Sequence, residues 1–399
     1  MPDISTYNGI DMADIASING QDAPSGGGIS ANSMPGAGVN GTVVVGGATI
    51  PSNPAVTLDF NIGPIAGQTF TKIVVRWDRD DAMIAIKADG TLWYNMAAGT
   101  SYGSWGTLDG TWRQHGVATD WTDISAAQQH FTAVKGGDLM FTGYGGYRTR
   151  GDGSTSSESS WVVVNSALTW SKTSTGYYHS LACTTAGHVY YCGYNWNYQT
   201  GQGTTSGTTT TLTRDQFNLT GVTEVSAGTY QSTKIIASGD VYSSGMNNQN
   251  FSGPLITSTS AIDGPLQSTN VGDIILISRP TYWAVFAINS SGELLFAGNG
   301  SYRNRPDNST AHQQGASCFG AIDGGATGWT YYGMDQYASS STWPGVGIKS
   351  GQMVMGGGTF SHVVKEVLGS AASTTAWINV GSTGITACAA GQKIIVASW

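Results

Sequence analysis

The chain has 399 residues, of which 11% are charged, 57 are glycine and 13 are tryptophan, and its formal net charge is −8. This balance excludes a disordered polar chain and long surface helices laced by ion pairs, and it favours aromatic strands joined by glycine-rich turns. An acidic chain without a dense Lys/Arg run would repel a phosphate backbone, so no nucleic-acid partner is expected.

Residues 1–24 form an 11-residue tandem, Asp3 to Ala13 and Asp14 to Pro24, with Asp-Ile at the start of each copy and Asn-Gly within it. Isoleucines alternating with polar residues around Asn8-Gly9 and Asn19-Gly20 predict two tiny hairpins, too small to be stable alone. Ile4, Ile15 and Ile18 lack chain to bury them, so the tandem reads as an anchor that binds a partner. It resembles the N-terminal segments of virion proteins of tailed bacteriophages, which implies docking on other virion proteins and a virion location, after synthesis in the host cytoplasm. Residues 1–30 show no basic, apolar-cored secretory signal, and no segment is long and apolar enough to span a bilayer, so no membrane insertion is expected. Residues 25–41 are Gly/Ser-rich and read as a flexible linker.

From residue 42 to 399 the chain is periodic. Gly90, Gly137, Gly187, Gly239, Gly292 and Gly351 are each followed by one polar residue and an apolar pair, and Gly391 by two polar residues and an apolar pair, at intervals of 47, 50, 52, 53, 59 and 40 residues. A β-rich run precedes each: Ala82 to Lys87, Phe131 to Lys135, His179 to Cys183, Ser232 to Ala237, Ala284 to Asn289, Val346 to Lys349 and Ile385 to Ala389. Each glycine therefore marks a hairpin, best formed at Asp89-Gly90, where glycine supplies a positive φ. Trp121, Trp170, Trp329 and Trp377 open several units and predict large flat fillers between neighbouring sheets.

A hairpin recurring about every 50 residues, with room for two more strands, describes a four-stranded propeller blade, whereas solenoid rungs are shorter and more regular. The expected fold is an all-β, seven-bladed β-propeller over 42–399. The last unit ends soon after its second hairpin strand, so residues 42–45 or 55–60 are expected to supply its outer strand and close the ring.

The third unit is the best formed, with His179-Ser-Leu-Ala-Cys through Gly187-His-Val-Tyr to Gly193-Tyr194-Asn195, followed by Gly201-Gln202-Gly203. It resembles the repeat of the regulator of chromosome condensation (RCC1) family. The resemblance implies the propeller fold; the exchange activity and chromatin binding of the namesake are not carried over, because this acidic chain lacks the basic tail they need.

Cys183, Cys192, Cys318 and Cys388 are too few and too scattered for a disulfide framework or a metal spacing. In the register expected of the Ala186-Gly187 hairpin, Cys183 faces Tyr190 with Cys192 on the diagonal. The six histidines form no metal motif, and His130 and His179 open equivalent strands. Asp78, Asp80 and Asp81 lack EF-hand spacing and read as a solvated turn. No nucleophile elbow, phosphate loop or isolated carboxylate pair is present. The chain is expected to be non-enzymatic, with no metal and no cofactor.

The remaining signal is aromatic. Tyr144, Tyr147 and Arg148 follow the second hairpin, Tyr194, Trp196, Tyr198 and Gln199 the third, and Tyr302, Arg303 and Arg305 the fifth. Equivalent loops of a propeller emerge on one face, where aromatic plates beside amides and guanidinium groups suit a sugar or a protein. The leading expectation is a virion decoration, fibre or tail component that also contacts a host-surface glycan or protein. The alternative is a cellular or secreted RCC1-like binding propeller.

Overall fold

A computed structural model describes residues 70–76, 82–96, 112–203, 207–215, 218–246, 262–267, 273–281, 284–298, 319–334, 345–356, 386–390 and 395–398, together with the strand pieces 6–7, 10–11, 17–18, 21–22 and 378–379. The architecture is an all-β propeller. Its first sheet is Phe70–Val75, Ala82–Lys87, Leu92–Met96 and Arg113–Gln114; the second is Trp121–Ala126, His130–Lys135, Asp138–Gly143 and Glu158–Asn165. The third is Trp170–Thr175, His179–Thr184, Val189–Tyr194 and Thr208–Arg214; the fourth is Val222–Ala227, Gln231–Ile236, Val241–Gly245 and Ile262–Gln267. The fifth is Ile274–Ile277, Ala284–Asn289, Leu294–Gly298 and Gly320–Ala321; the sixth is Trp329–Met334, Gly345–Lys349, Gln352–Gly356 and Ile378–Asn379. In all six the strands are antiparallel neighbours in chain order.

A pair, Ala387–Ala390 with Ile395–Ser398, follows. Its first strand packs on the sixth sheet and on Phe70–Val75 of the first, so the end of the chain meets the start of the ring. Seven complete four-stranded blades are not what the described residues show: six sheets have four strands and the last has two. The segments expected to complete it, 42–45 and 55–60, lie outside the described residues.

The last unit also differs from the expectation in strand order. Ala387–Ala389 line the central channel together with the first strands of the other sheets, so this pair is the inner half of its sheet rather than the middle hairpin. Ile378–Asn379 pairs with Gln352–Gly356 as the fourth strand of the sixth sheet, so the segment after Trp377 closes one unit and does not open the next. The 40-residue interval to Gly391 carried that information: Gly391 falls one turn too early to be a hairpin glycine of the periodic kind.

The periodic glycines do more than turn the chain. The carbonyl oxygens of Gly90, Gly137, Gly187, Gly239 and Gly292 accept the backbone N–H of Trp121, Trp170, Val222, Ile274 and Trp329, the first residue of the next sheet in each case. Each hairpin tip is thereby tied to the following unit. The opening residues fill the gap between sheets: Phe70, Trp121, Trp170 and Trp329 are all buried. Trp170 meets Tyr190 edge-on at 5.2 Å and donates its indole N–H to the Asn165 carbonyl of the preceding sheet. Apolar clusters such as Ile84, Leu92, Trp121, Ile124 and Phe131 between the first two sheets make up the core. Trp377 lies outside the described residues.

Between the second, third and fourth sheets, polar contacts accompany apolar clusters such as Val134, Leu139, Trp170 and Ala182. His130 Nε2 lies 3.2 Å from Ser180 Oγ, and His179 Nε2 lies 2.9 Å from Ser232 Oγ, so each strand-opening histidine bonds the next unit's serine. Thr132 and Thr173 hydroxyls add a contact at 2.7 Å. Ser125 Oγ accepts from Thr175 N at 3.0 Å, and Ser174 Oγ from Ala227 N at 2.9 Å. Buried hydroxyls and imidazoles need such partners, and at these contacts the adjacent unit supplies them.

The register corrects the cysteine expectation by one residue: Cys183 pairs with Val189, and Cys192 with Ser180. Cys183, Cys192 and Cys388 are free and buried, and burial pushes the Cys183 thiol up to about 11 and Cys192 to about 12. Cys318 lies outside the described residues. A native-state thiol assay with an aromatic disulfide reagent is expected to label no more than one cysteine, and reductant to leave the melting temperature unchanged. Rapid labelling of two or more thiols contradicts this.

At the N-terminus, Tyr7 pairs with Ile10 and Ile18 with Gln21. The pairings bracket residues 8–9 and 19–20 and repeat at an offset of 11 residues, as the tandem predicts. Asp78, Asp80 and Asp81 lie outside the described residues, and no group of three metal-ligating side chains occurs among those described.

Candidate functional site

Four antiparallel strands alternate direction, so the turn from first to second strand and the connection from third to fourth leave a sheet at the same end. On that face of the second and third sheets the aromatic residues converge. Tyr144 meets Tyr147 edge-on at 5.0 Å, and Tyr147 meets Tyr178 at 4.4 Å and Tyr194 at 5.6 Å. Tyr177 and Tyr178, from the Gly176-Tyr177-Tyr178 turn of the third sheet, meet at 4.0 Å. Trp196 lies flat on Tyr194, 4.5 Å away with 15° between planes. The tyrosines of this run are half-buried, whereas Trp196 is 60% exposed. Edge-to-face contacts lock the rings, so the indole presents its outer face on a rigid support.

Glycine makes this rim possible. Gly193, next to last in the third strand, has φ 101°, and an added Cβ there would lie 2.4 Å from the Tyr178 carbonyl oxygen. Without a side chain the backbone leading to Tyr194 passes directly over the turn bearing Tyr178. Burial and a hydrogen bond with Tyr177 push the Tyr178 phenol above its ordinary range, so it stays protonated as a donor.

The sequence-predicted residues divide as follows. Tyr144, Tyr147, Tyr194 and Trp196 come together. Arg148 is exposed beside them, in a left-handed conformation (φ 62°) that closes a turn onto the Gly145 carbonyl. Tyr198, also left-handed at φ 57°, is half-buried in the next turn. Gln199 is buried, its side chain capping Asn197 N and its carbonyl accepting from Ser232, so it joins the third sheet to the fourth instead of facing solvent. Tyr302, Arg303 and Arg305 lie outside the described residues, as does the packing of the anchor residues Ile4, Asn8, Gly9, Ile15, Ile18, Asn19 and Gly20. Sequence reasoning missed Tyr177 and Tyr178. Their signal was the alternation of strand direction, which puts the turn before His179 on the same face as the loop after Gly193.

Behind that face, the Asn195–Gly203 loop folds inward. Asn195 Oδ1 accepts from Thr200 N, and Gly201 lies against Ser244 and Lys234 of the fourth sheet. Lys234 is buried, donates to Ser244 Oγ at 3.2 Å, and burial lowers its pKa. This loop packs as a polar plug between the third and fourth sheets.

No protein-family model matches the chain, and no curated protein resembles it in sequence. Solved structures do resemble it in shape. Human WBSCR16 is 15% identical over 79% of this chain and 83% of its own, with a TM-score of 0.61. Yeast RCC1 (Prp20), solved with Kap60 bound, is 15% identical over 63% of this chain and 62% of its own, with a TM-score of 0.51. Prp20p from Saccharomyces cerevisiae, characterised for its binding to Gsp1p and histones, is 15% identical over 63% and 64%, also with a TM-score of 0.51. At such identities the likeness is one of fold, and the chain has an RCC1-like β-propeller fold.

Proposed function

We propose that this chain is a non-catalytic, seven-bladed RCC1-like binding propeller that recognises a protein partner on the face carrying Tyr147, Tyr178, Tyr194 and Trp196. The observation that carries the reading is Trp196: a large, largely exposed apolar ring on a locked aromatic base is a cost in solution and an anchor in a complex. Exposed Arg148, next to Tyr147 in the chain, adds the planar donor enriched at protein interfaces. Seven inner strands around one channel support the blade number, with the outer part of the seventh blade contributed from 42–45 or 55–60. Yeast RCC1, of the same fold, takes protein partners, which favours a protein over a glycan here.

A second reading makes the chain a virion component held by residues 1–24, with the propeller outward and a host-surface protein or glycan as its target. The paired hairpins at 6–11 and 17–22 favour a dedicated docking segment; the solved structures named above lend the virion itself no support.

Selection from a displayed random-peptide library, with a glycan array in parallel, tests both. The expected result is a peptide family captured by the wild type and by a chain lacking residues 3–24, and weakened at least tenfold by Trp196→Ala with Tyr198→Ala, whose melting temperature stays within a few degrees. Capture lost with residues 3–24 and kept in the double variant would favour the second reading. Glycan binding without peptide binding overturns the protein assignment.

A further inference from the structure

The first strands of all seven units ring a central cavity of about 430 Å³, within the size range of small-molecule sites. Its walls are unequal. The third residue of the first four inner strands is Lys72, Asp123, Lys172 and Glu224, alternating in sign around half the ring. Lys72 pairs with Asp123, and Lys172 Nζ lies 2.9 Å from Glu224 Oε2. Asp123 is saturated, because its second oxygen accepts Thr173 N at 2.8 Å. The lysines are less enclosed: the Lys72 and Lys172 side chains are 38% and 37% exposed, against 3% for Asp123. At the same position the fifth and sixth strands place Leu276 and Tyr331, and Ala387–Ala389 of the seventh also line the cavity, an uncharged wall.

One end of the cavity is crossed by Arg279. From the fifth sheet its guanidinium donates to the Ala126 carbonyl at 2.6 Å and Ser125 Oγ at 2.7 Å on the second, with Thr175 Oγ1 of the third at 3.4 Å. Lys72, Lys172 and Arg279 face the cavity with Glu224, and counting Asp123, buried behind Lys72, they still leave one excess positive charge. In a confined site, where fields are screened less than in bulk water, that excess selects anions.

We propose that the channel is a binding pocket for a small monocarboxylate with an apolar body, its carboxylate on the Lys172 and Arg279 side and its body against Leu276, Ile277 and Tyr331. The site is separate from the aromatic rim and does not depend on the rim's role. The alternating pairs hold the lysines in place, and each lysine is more exposed than its carboxylate, Lys72 at 38% against 3% for Asp123 and Lys172 at 37% against 27% for Glu224, so a carboxylate meets cations first.

Phenylacetate, benzylamine and 2-phenylethanol share an aromatic body and differ in charge, so calorimetric titration of the full chain at low salt with each tests the site. Phenylacetate is expected to bind with a Kd below roughly 1 mM and the other two at least tenfold more weakly. Glu224→Gln, which removes an anion, should tighten phenylacetate about fivefold, and Lys172→Gln should weaken it at least tenfold. Trp196→Ala should leave it unchanged, which keeps this outcome separate from that of the rim. Should Lys172→Gln fail to fold, Glu224→Gln still decides. No phenylacetate binding, equal binding of all three probes, or the same affinity in both charge variants means that the channel holds water only and overturns the proposal.

Discussion

Lowering the pH from 7 to 4.5 is expected to destabilise the propeller by about 4–5 kcal/mol, a loss that substituting His130 and His179 removes. Both imidazoles are fully enclosed, and burial first, then His179 and Arg279 for His130, and Lys234 and Arg279 for His179, lowers each pKa to about 3. The unfolded chain titrates near the ordinary value of about 6.5. A group whose folded pKa is depressed in this way binds protons better when unfolded, so stability is intact above pH 6.5 and is lost as pH falls from there toward 3. At pH 4.5 the two-unit gap from the unfolded value corresponds to about 2.5 kcal/mol for each histidine. The fourth sheet supplies the control, since Gln231 occupies the equivalent strand-opening position. Denaturant unfolding of the wild type and of His130→Gln with His179→Gln at both pH values isolates the effect, because carboxylate protonation acts on both proteins alike. Identical acid losses in the two proteins would show that the histidines do not carry it.

Gly90→Ala is expected to cost on the order of 3–5 kcal/mol, whereas Gly116→Ala costs about 1 kcal/mol. The two share a left-handed backbone, at φ +79° and +63°, and so share the penalty any L side chain meets there. They differ in surroundings. A Cβ on Gly90 would lie 2.0 Å from the Thr119 carbonyl oxygen, while nothing comes within 4 Å of one on Gly116. The clash is with backbone of the segment entering the second sheet, and relieving it would pull the Gly90 carbonyl from Trp121 N, 3.2 Å away. Gly239, whose Cβ would lie 2.2 Å from Asp273 N, stands in the same relation to the fifth sheet. Equal losses at Gly90 and Gly116, measured by denaturant unfolding, would reduce the periodic glycines to turn formers and remove their part in joining units.

The sequence by itself determined the unit. Asp89-Gly90 and its weaker copies specify hairpins through the conformations available to two adjacent residues, and the runs before them alternate or fill in ways only strands use. The observed second strands, Ala82–Lys87 and Ala284–Asn289 among them, match those runs to the residue or within one or two. The same local chemistry accounts for the pairing of Tyr7 with Ile10 and of Ile18 with Gln21. Aromatic residues after the second and third hairpins were legible for a related reason, since repeating units place equivalent loops on one face.

Only the tertiary structure decided how units meet. Cys183 opposite Val189 instead of Tyr190 follows from a turn one residue longer than the two-residue Ala186-Gly187 turn the sequence suggests, because residues 185–187 all lie in the loop, and one residue of register changes every cross-strand neighbour. The last unit was misread because a hairpin between first and second strands looks, locally, like one between second and third; its place beside the channel depends on contact with Phe70–Val75, more than 300 residues earlier. His130 with Ser180, Tyr147 with Tyr178 and Arg279 with Ala126 are pairings 50, 31 and 153 residues apart. Short-range turn preferences say nothing about such partners. They are chosen when sheets packed side by side close into a ring, and that closure is where buried polar groups find the bonds they must make.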